Sequence, residues 1–205
     1  RLLIPRLTIK RFAKVLSTEK LNQVLFNFPG LPVSRTTKVH ILQYISQNAR
    51  FSRCGLYRYS LERSWIGGNG CALFIGLNPS TADHRKDDPT IRRCVGFAKS
   101  WGYEAMEIVN LFAFRATYPT DLKLAPKPIG PANNSWIAKA VNRSEIAIAC
   151  WGNDGGFLNR DKYLLKRYPD LRCLKINRSQ HPAHPLYLKA NLKPFPMNQA
   201  MRSAQ

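Results

Sequence analysis

Between residues 55 and 176, short apolar runs alternate with stretches of helical spacing, and this alternation limits the folds open to the chain more than any other feature. "GLYRYSLER" (55–63) alternates apolar and polar residues as a half-buried strand does. "CALFIGL" (71–77) is a continuous apolar run that fits a strand covered on both faces. "TIRRCVGFAKSWG" (90–102) has helical spacing and stops on Gly102. Strand "AMEIVNL" (105–111), a Pro-rich loop, helix "NNSWIAKAVNR" (133–143), strand "EIAIACW" (145–151), helix "NRDKYLLKRY" (159–168) and strand "LRCLKI" (171–176) follow. Strand–helix units joined by right-handed crossovers predict an α/β three-layer sandwich with a central, mainly parallel sheet over residues 51–205.

Residues 1–50 differ in character. They hold nine Lys/Arg against the single acid Glu19, and read as a basic N-terminal extension. The alternative, an organelle transit peptide, shares that composition. Val39, Leu42, Ile45 and Ala49 recur at helical spacing, which predicts a helix over 36–50 ahead of the main domain. The formal charge of the 205-residue chain is +20, a field that favours polyanions and makes nucleic acid the expected partner. No apolar run approaches the eighteen or so residues of a membrane-spanning helix. The expectation is a soluble, cytoplasmic monomer, associated with the nucleoid if it binds DNA. Cys54, Cys71, Cys94, Cys150 and Cys173 are scattered singly, so we expect reduced thiols, with no disulfide framework, metal site or other cofactor.

In an open parallel sheet, ligands bind outside the carboxyl ends of the strands. Here those ends carry Gly76-Leu77-Asn78-Pro79-Ser80, then Asn110, then Trp151-Gly152-Asn153, and finally "NRSQHPAHPLYL" with His181 and His184. Each group has an ordinary reading as a turn or a buried polar residue, but their common position points to a site. Asp83, Asp87 and Asp88 lie near Arg85, Lys86, Arg92 and Arg93, which favours charge pairing over a divalent cation. "DPTIRR" also places Asp88 and Thr90 where a helix cap belongs. No Walker-type phosphate loop, dinucleotide glycine triplet or serine-hydrolase elbow occurs in a suitable context.

"RYSLERSW", "GLNPSTAD", "DDPTIRRC", "VNLFAFRAT" and "HPLYL", in this order, resemble a bacterial and archaeal family known as domain of unknown function 1643. More distantly, "GLNPS", "DPTIRR", "IVNLF", "ACWGN" and "HPLYL" resemble, in order, five motifs of the uracil-DNA glycosylase superfamily. That resemblance implies hydrolysis of the N-glycosidic bond of a damaged or modified base, in DNA rather than RNA, without metal or cofactor. It assigns His184 to stabilising the departing base and Asn78 to positioning the attacking water. Asn110 would read the base edge, and Gly76, Pro79, Ser80 and Trp151 would shape the base pocket. Leu186 or Tyr187 would fill the gap in the duplex, while Arg92, Arg93, Arg115 and Arg178 would hold phosphates. Asn78 stands where the most active branch carries an aspartate, and an amide is no general base at neutral pH, so either catalysis is slower or Asp83 supplies the missing carboxylate. His184 fits the His-Pro-x-x-Leu pattern, and the duplicated His-Pro leaves His181 as the alternative. A noncatalytic nucleic-acid-binding module and an enzyme acting on a free nucleoside or nucleotide are the competing readings.

Overall fold

A computed structural model describes residues 44–198. They form a mixed α/β fold around a seven-stranded sheet, mostly parallel in its middle. The strands are β1 (Ser46–Phe51), β2 (Arg58–Ser64), β3 (Cys71–Gly76), β4 (Ala105–Asn110), β5 (Ile146–Ala149), β6 (Arg172–Cys173) and β7 (Phe195–Pro196). The helices are α1 (Pro89–Ser100), α2 (Pro119–Leu124), α3 (Asn133–Asn142) and α4 (Arg160–Arg167). The sheet order is β1-β2-β4-β3-β5-β6-β7; β4, β3, β5 and β6 run parallel, and the flanking β1–β2, β2–β4 and β6–β7 pairs are antiparallel.

Ala72, Leu73, Phe74 and Ile75 of β3 are all fully buried, as a strand clothed on both faces requires. Their alternation sorts the core into two layers. Ala72, Phe74, Met106, Ile108, Ile148 and Cys150 pack with Ile91, Cys94, Val95, Phe97 and Ala98 of α1 and with Leu174, Ala183 and Leu188 from the C-terminal segment. Leu73, Ile75, Val109, Ala149 and Trp151 pack with Leu122 of α2, Ile137 and Ala140 of α3, and Leu164 of α4. Burial of each large aliphatic or aromatic side chain contributes about 1.5–3 kcal/mol.

The chain leaves β3 toward β4 on one side and returns to β5 on the other, so the strand order reverses at β3. A crevice at the carboxyl end of β3 follows from that reversal.

Three local expectations are corrected. Ser46–Phe51 is an edge strand paired with β2, not the end of a helix, because its backbone finds hydrogen-bond partners along β2. The rest of the predicted 36–50 helix, up to Gln43, lies outside the described residues. The Pro-rich loop contains α2, with Pro119 in its first turn, where proline's missing N–H costs nothing. The strand expected over 171–176 pairs as β6 only at Arg172 and Cys173. After β5 the chain enters a 3-10 stretch, Asn153–Asn159, broken by a kink at Phe157 and Leu158. Among the described residues no helix is long and apolar enough to cross a membrane.

Candidate functional site

The carboxyl ends of β3, β4 and β5 open into a cavity of about 600 Å³. Gly76, Asn110 and Cys150 form its strand-end wall, Asp88, Thr90 and Ile91 at the start of α1 form a second wall, and Ala183, His184, Tyr187 and Leu188 form a third. Asn78 and Ser80 line it from the loop after β3, and Trp151 and Asn153 from the loop after β5. Strand ends far apart in sequence therefore meet in one space.

Each of these positions has a local cause. Gly76 lies opposite Asn110 across the parallel pair, and a β-carbon there would stand 2.9 Å from Asn110 Oδ1, so the glycine leaves room for the amide. The chain leaving β4 is fixed by Asn133 of α3, which donates to the carbonyls of Asn110 and Leu111 at 3.0 and 2.9 Å. Arg160 of α4 adds a 3.2 Å bond from Nε to Leu111 O. Gly152, at φ 74°, turns the chain after β5, and its amide donates to Pro182 O at 2.9 Å, tying that turn to the His-Pro segment. The segment itself is a small hairpin with an Ile176–Pro182 bridge, which returns Ala183 and His184 to the cavity.

Asn78 donates from Nδ2 to Ala116 O at 2.7 Å and to Pro79 O at 3.1 Å, which fixes its amide and leaves Oδ1 to accept. Asn110 is 2% exposed, and its Nδ2 has no partner. His184 Nδ1 accepts from Leu186 N at 3.4 Å, so the proton of the neutral ring belongs on Nε2. Burial lowers the His184 pKa against the opposing field of Asp88, which favours that neutral form. Pro79 is buried behind the wall. Leu186 is partly exposed and Tyr187 is 83% exposed, both in the 3-10 turn Pro185–Tyr187 at the cavity mouth, although only Tyr187 lines the cavity.

Other expected residues stand elsewhere. Asp83 does not line the cavity; its Oδ1 accepts from the amides of Arg85 and Lys86 at 2.7 and 2.8 Å, which lowers its pKa. His181 faces Asp161 of α4, with 3.6 Å between Nδ1 and Oδ2, and of the two histidines only His184 reaches the cavity. Arg92, Arg93, Arg115 and Arg178 do not line it either. Arg93 donates to Leu188 O and lies over the Phe97 ring, pinning the C-terminal segment to α1. Arg92 donates to Asp87 O, Arg115 to Gly55 O, and Arg178 is exposed. Trp151 is fully buried, and its indole edge presses on Gly155, where a β-carbon would stand 2.0 Å from Cδ1.

The acidic cluster resolves into separate tasks. Asp87 pairs with Arg63 at 2.8 Å and accepts from Tyr44 Oη. Asp88 caps α1, its Oδ1 accepting from Ile91 N at 2.8 Å, and this is the carboxylate of the cluster that lines the cavity.

Two cations that sequence reading did not single out also line the cavity: Arg58 and Lys175. Arg58 opens β2, and because β2 runs antiparallel to β4, its first residue lies beside the end of β4, donating from its amide to Ala113 O at 2.9 Å. Nothing in "RYSLER" separates Arg58 from Arg63; only strand direction does.

No curated protein and no solved structure matches the chain. Residues 58–186, which span the sheet from β2 through the His-Pro segment, match the model of a family described as "Protein of unknown function (DUF1643)", and the chain belongs to that family.

Proposed function

We propose that the domain has a uracil-DNA-glycosylase-like fold and hydrolyses the N-glycosidic bond of a damaged or modified base in DNA. The observation that carries this reading is the meeting of an oriented Asn78, an unpartnered Asn110 amide and a buried His184 around one cavity at the strand-order reversal. A cavity of about 600 Å³ accommodates a flipped nucleotide rather than a duplex.

In the reaction the C1′–N bond breaks, its electron pair leaves with the base, and water oxygen forms the new bond to C1′. His184 Nε2–H donates to an oxygen of the departing base, where negative charge grows. Asn110 pairs with the base edge through its free Nδ2. Asn78 Oδ1 accepts from the attacking water. That water must lose a proton, and Asp88 replaces Asp83 as the carboxylate for this role, since it faces the cavity. The exposed Tyr187 ring, with Leu186 beside it, fills the space a flipped base vacates. The net charge of +20 holds the phosphate backbone.

A second reading, an enzyme acting on a free nucleoside or nucleotide, is favoured by one observation: the cations lining the cavity are Arg58 and Lys175, whereas the four arginines assigned to phosphates are not among its lining residues. Mass spectrometry of bases released from single- and double-stranded DNA carrying deaminated and modified bases separates the two. The parent is expected to release a base, and Asn78→Ala, Asp88→Asn and His184→Ala to slow release by about 100-fold or more each. Base released from a mononucleotide but not from DNA would favour the second reading. Salt-sensitive DNA binding with no base released from either would leave a noncatalytic binding module.

A further inference from the structure

Arg58 is 2% exposed and lines the cavity, and its guanidinium has one hydrogen-bond acceptor among the described residues, Ala82 O, at 2.8 Å from Nη1. Its Nε is buried and unpartnered. No carboxylate forms an ion pair with it among the described residues; Asp88 and Asp83 act on it only through the longer-range field. A buried, unpaired guanidinium is among the more costly groups a fold can carry. Burial pulls its pKa down to about 10, which still leaves it charged at neutral pH. Asn110, whose Nδ2 is also buried and unpartnered, lines the same cavity. Two donors without acceptors, one of them charged, therefore await acceptor groups.

We infer that Arg58 is the anion-recognition residue of this cavity, and that the ligand presents to it a negatively charged or strongly polarised oxygen. The inference deepens the proposed function and rests on it: in that setting the oxygen belongs to an oxo-substituted base, and Arg58 binds the charge that the base acquires as it leaves. A phosphate oxygen has the same chemistry and is the alternative source. Bases whose buried edge offers only amino donors are disfavoured, because Arg58 has no acceptor to give them.

The test uses the full chain and two probes, barbiturate (an anionic oxo-pyrimidine) and inorganic phosphate. Isothermal titration of the parent, Arg58→Gln and Arg58→Lys with each probe measures affinity. We expect barbiturate to bind the parent about 10- to 100-fold more tightly than Arg58→Gln, the range for loss of a charge-assisted hydrogen bond. Arg58→Lys should recover part of that affinity. The same pattern with phosphate and not barbiturate would support anion recognition and assign it to a phosphate group. Equal binding to parent and Arg58→Gln, or binding of neither probe at millimolar concentration, overturns the inference.

Nuclear magnetic resonance on the unsubstituted protein provides a check that does not depend on how the variants fold. The Arg58 Nε–H signal should shift on adding the bound probe, while that of Arg63, whose Nε donates to Asp87 at 2.8 Å, should not. An unmoved Arg58 signal at saturating probe overturns the inference. Base release by Arg58→Gln at the parental rate would sink it while leaving the glycosylase reading intact. Arg58-dependent probe binding without base release would do the reverse.

Discussion

Arg58 and Arg63 lie on one strand, β2, and both are hidden from solvent, at 2% and 0% exposure, yet their surroundings differ completely. Arg63, paired in register with Met106 near the start of β4, donates to the Asp87 carboxylate and to the carbonyls of Asn48, Glu62 and Asp83. The Arg58 guanidinium, beyond the far end of β4, has Ala82 O alone among the described residues. At the Arg63 end the protein satisfies its own charge, and the result is a clamp on the loop between β3 and α1. At the Arg58 end the donors are left open, and so is the Asn110 amide. Buried polar groups in folded proteins are nearly always paired, so the Arg63 end keeps the rule and the Arg58 end departs from it.

The sharpest way to break this comparison is to remove the partner at the satisfied end. Asp87→Ala strands a fully buried guanidinium and should cost about 3–5 kcal/mol. Denaturant unfolding measures it, and a cost below about 1 kcal/mol would mean that the carbonyls alone suffice for Arg63. Arg58→Met should change stability by no more than about 1 kcal/mol, in either direction, because it removes one hydrogen bond along with an uncompensated charge. A large destabilisation would make Arg58 a structural residue like Arg63 and remove the contrast.

The smallest expected effect concerns His184. Its pKa is lowered in the fold by burial, so the folded state binds fewer protons than the unfolded chain around the ordinary value of 6.5. Stability present above that pH is lost as pH falls through 6.5 toward the folded value. The unfolding free energy of the parent should therefore drop more steeply between neutral and mildly acidic pH than that of His184→Asn. Parallel pH profiles would show that the imidazole is not held neutral by its surroundings.

Much of the frame was legible without coordinates. The apolar run at 71–77 and the helical spacing at 90–102 emerged as β3 and α1 almost to the residue, because both carry enough buried side chains to fix their conformation locally. The gathering of Asn78, Asn110 and His184 followed from a general property of parallel sheets. Other parts were not legible. Residues 46–50 share helical spacing with 36–45 and form a strand, since edge pairing with β2 outweighs local preference. Asp83 and Asp88 are both aspartates of one loop, and only the path of that loop turns Asp88 toward the cavity and Asp83 back onto its own backbone.

The sequence by itself determined the alternation of strands and helices, the two apolar layers that cover the sheet, and the polar character of the strand ends, because those properties reside in each segment's own pattern of side chains. Tertiary structure alone decided that β2 runs against β4, and that its first arginine adjoins the cavity while its sixth residue is sealed by Asp87. Strand direction and loop path depend on pairing between residues tens of positions apart, and no short stretch of sequence encodes that pairing.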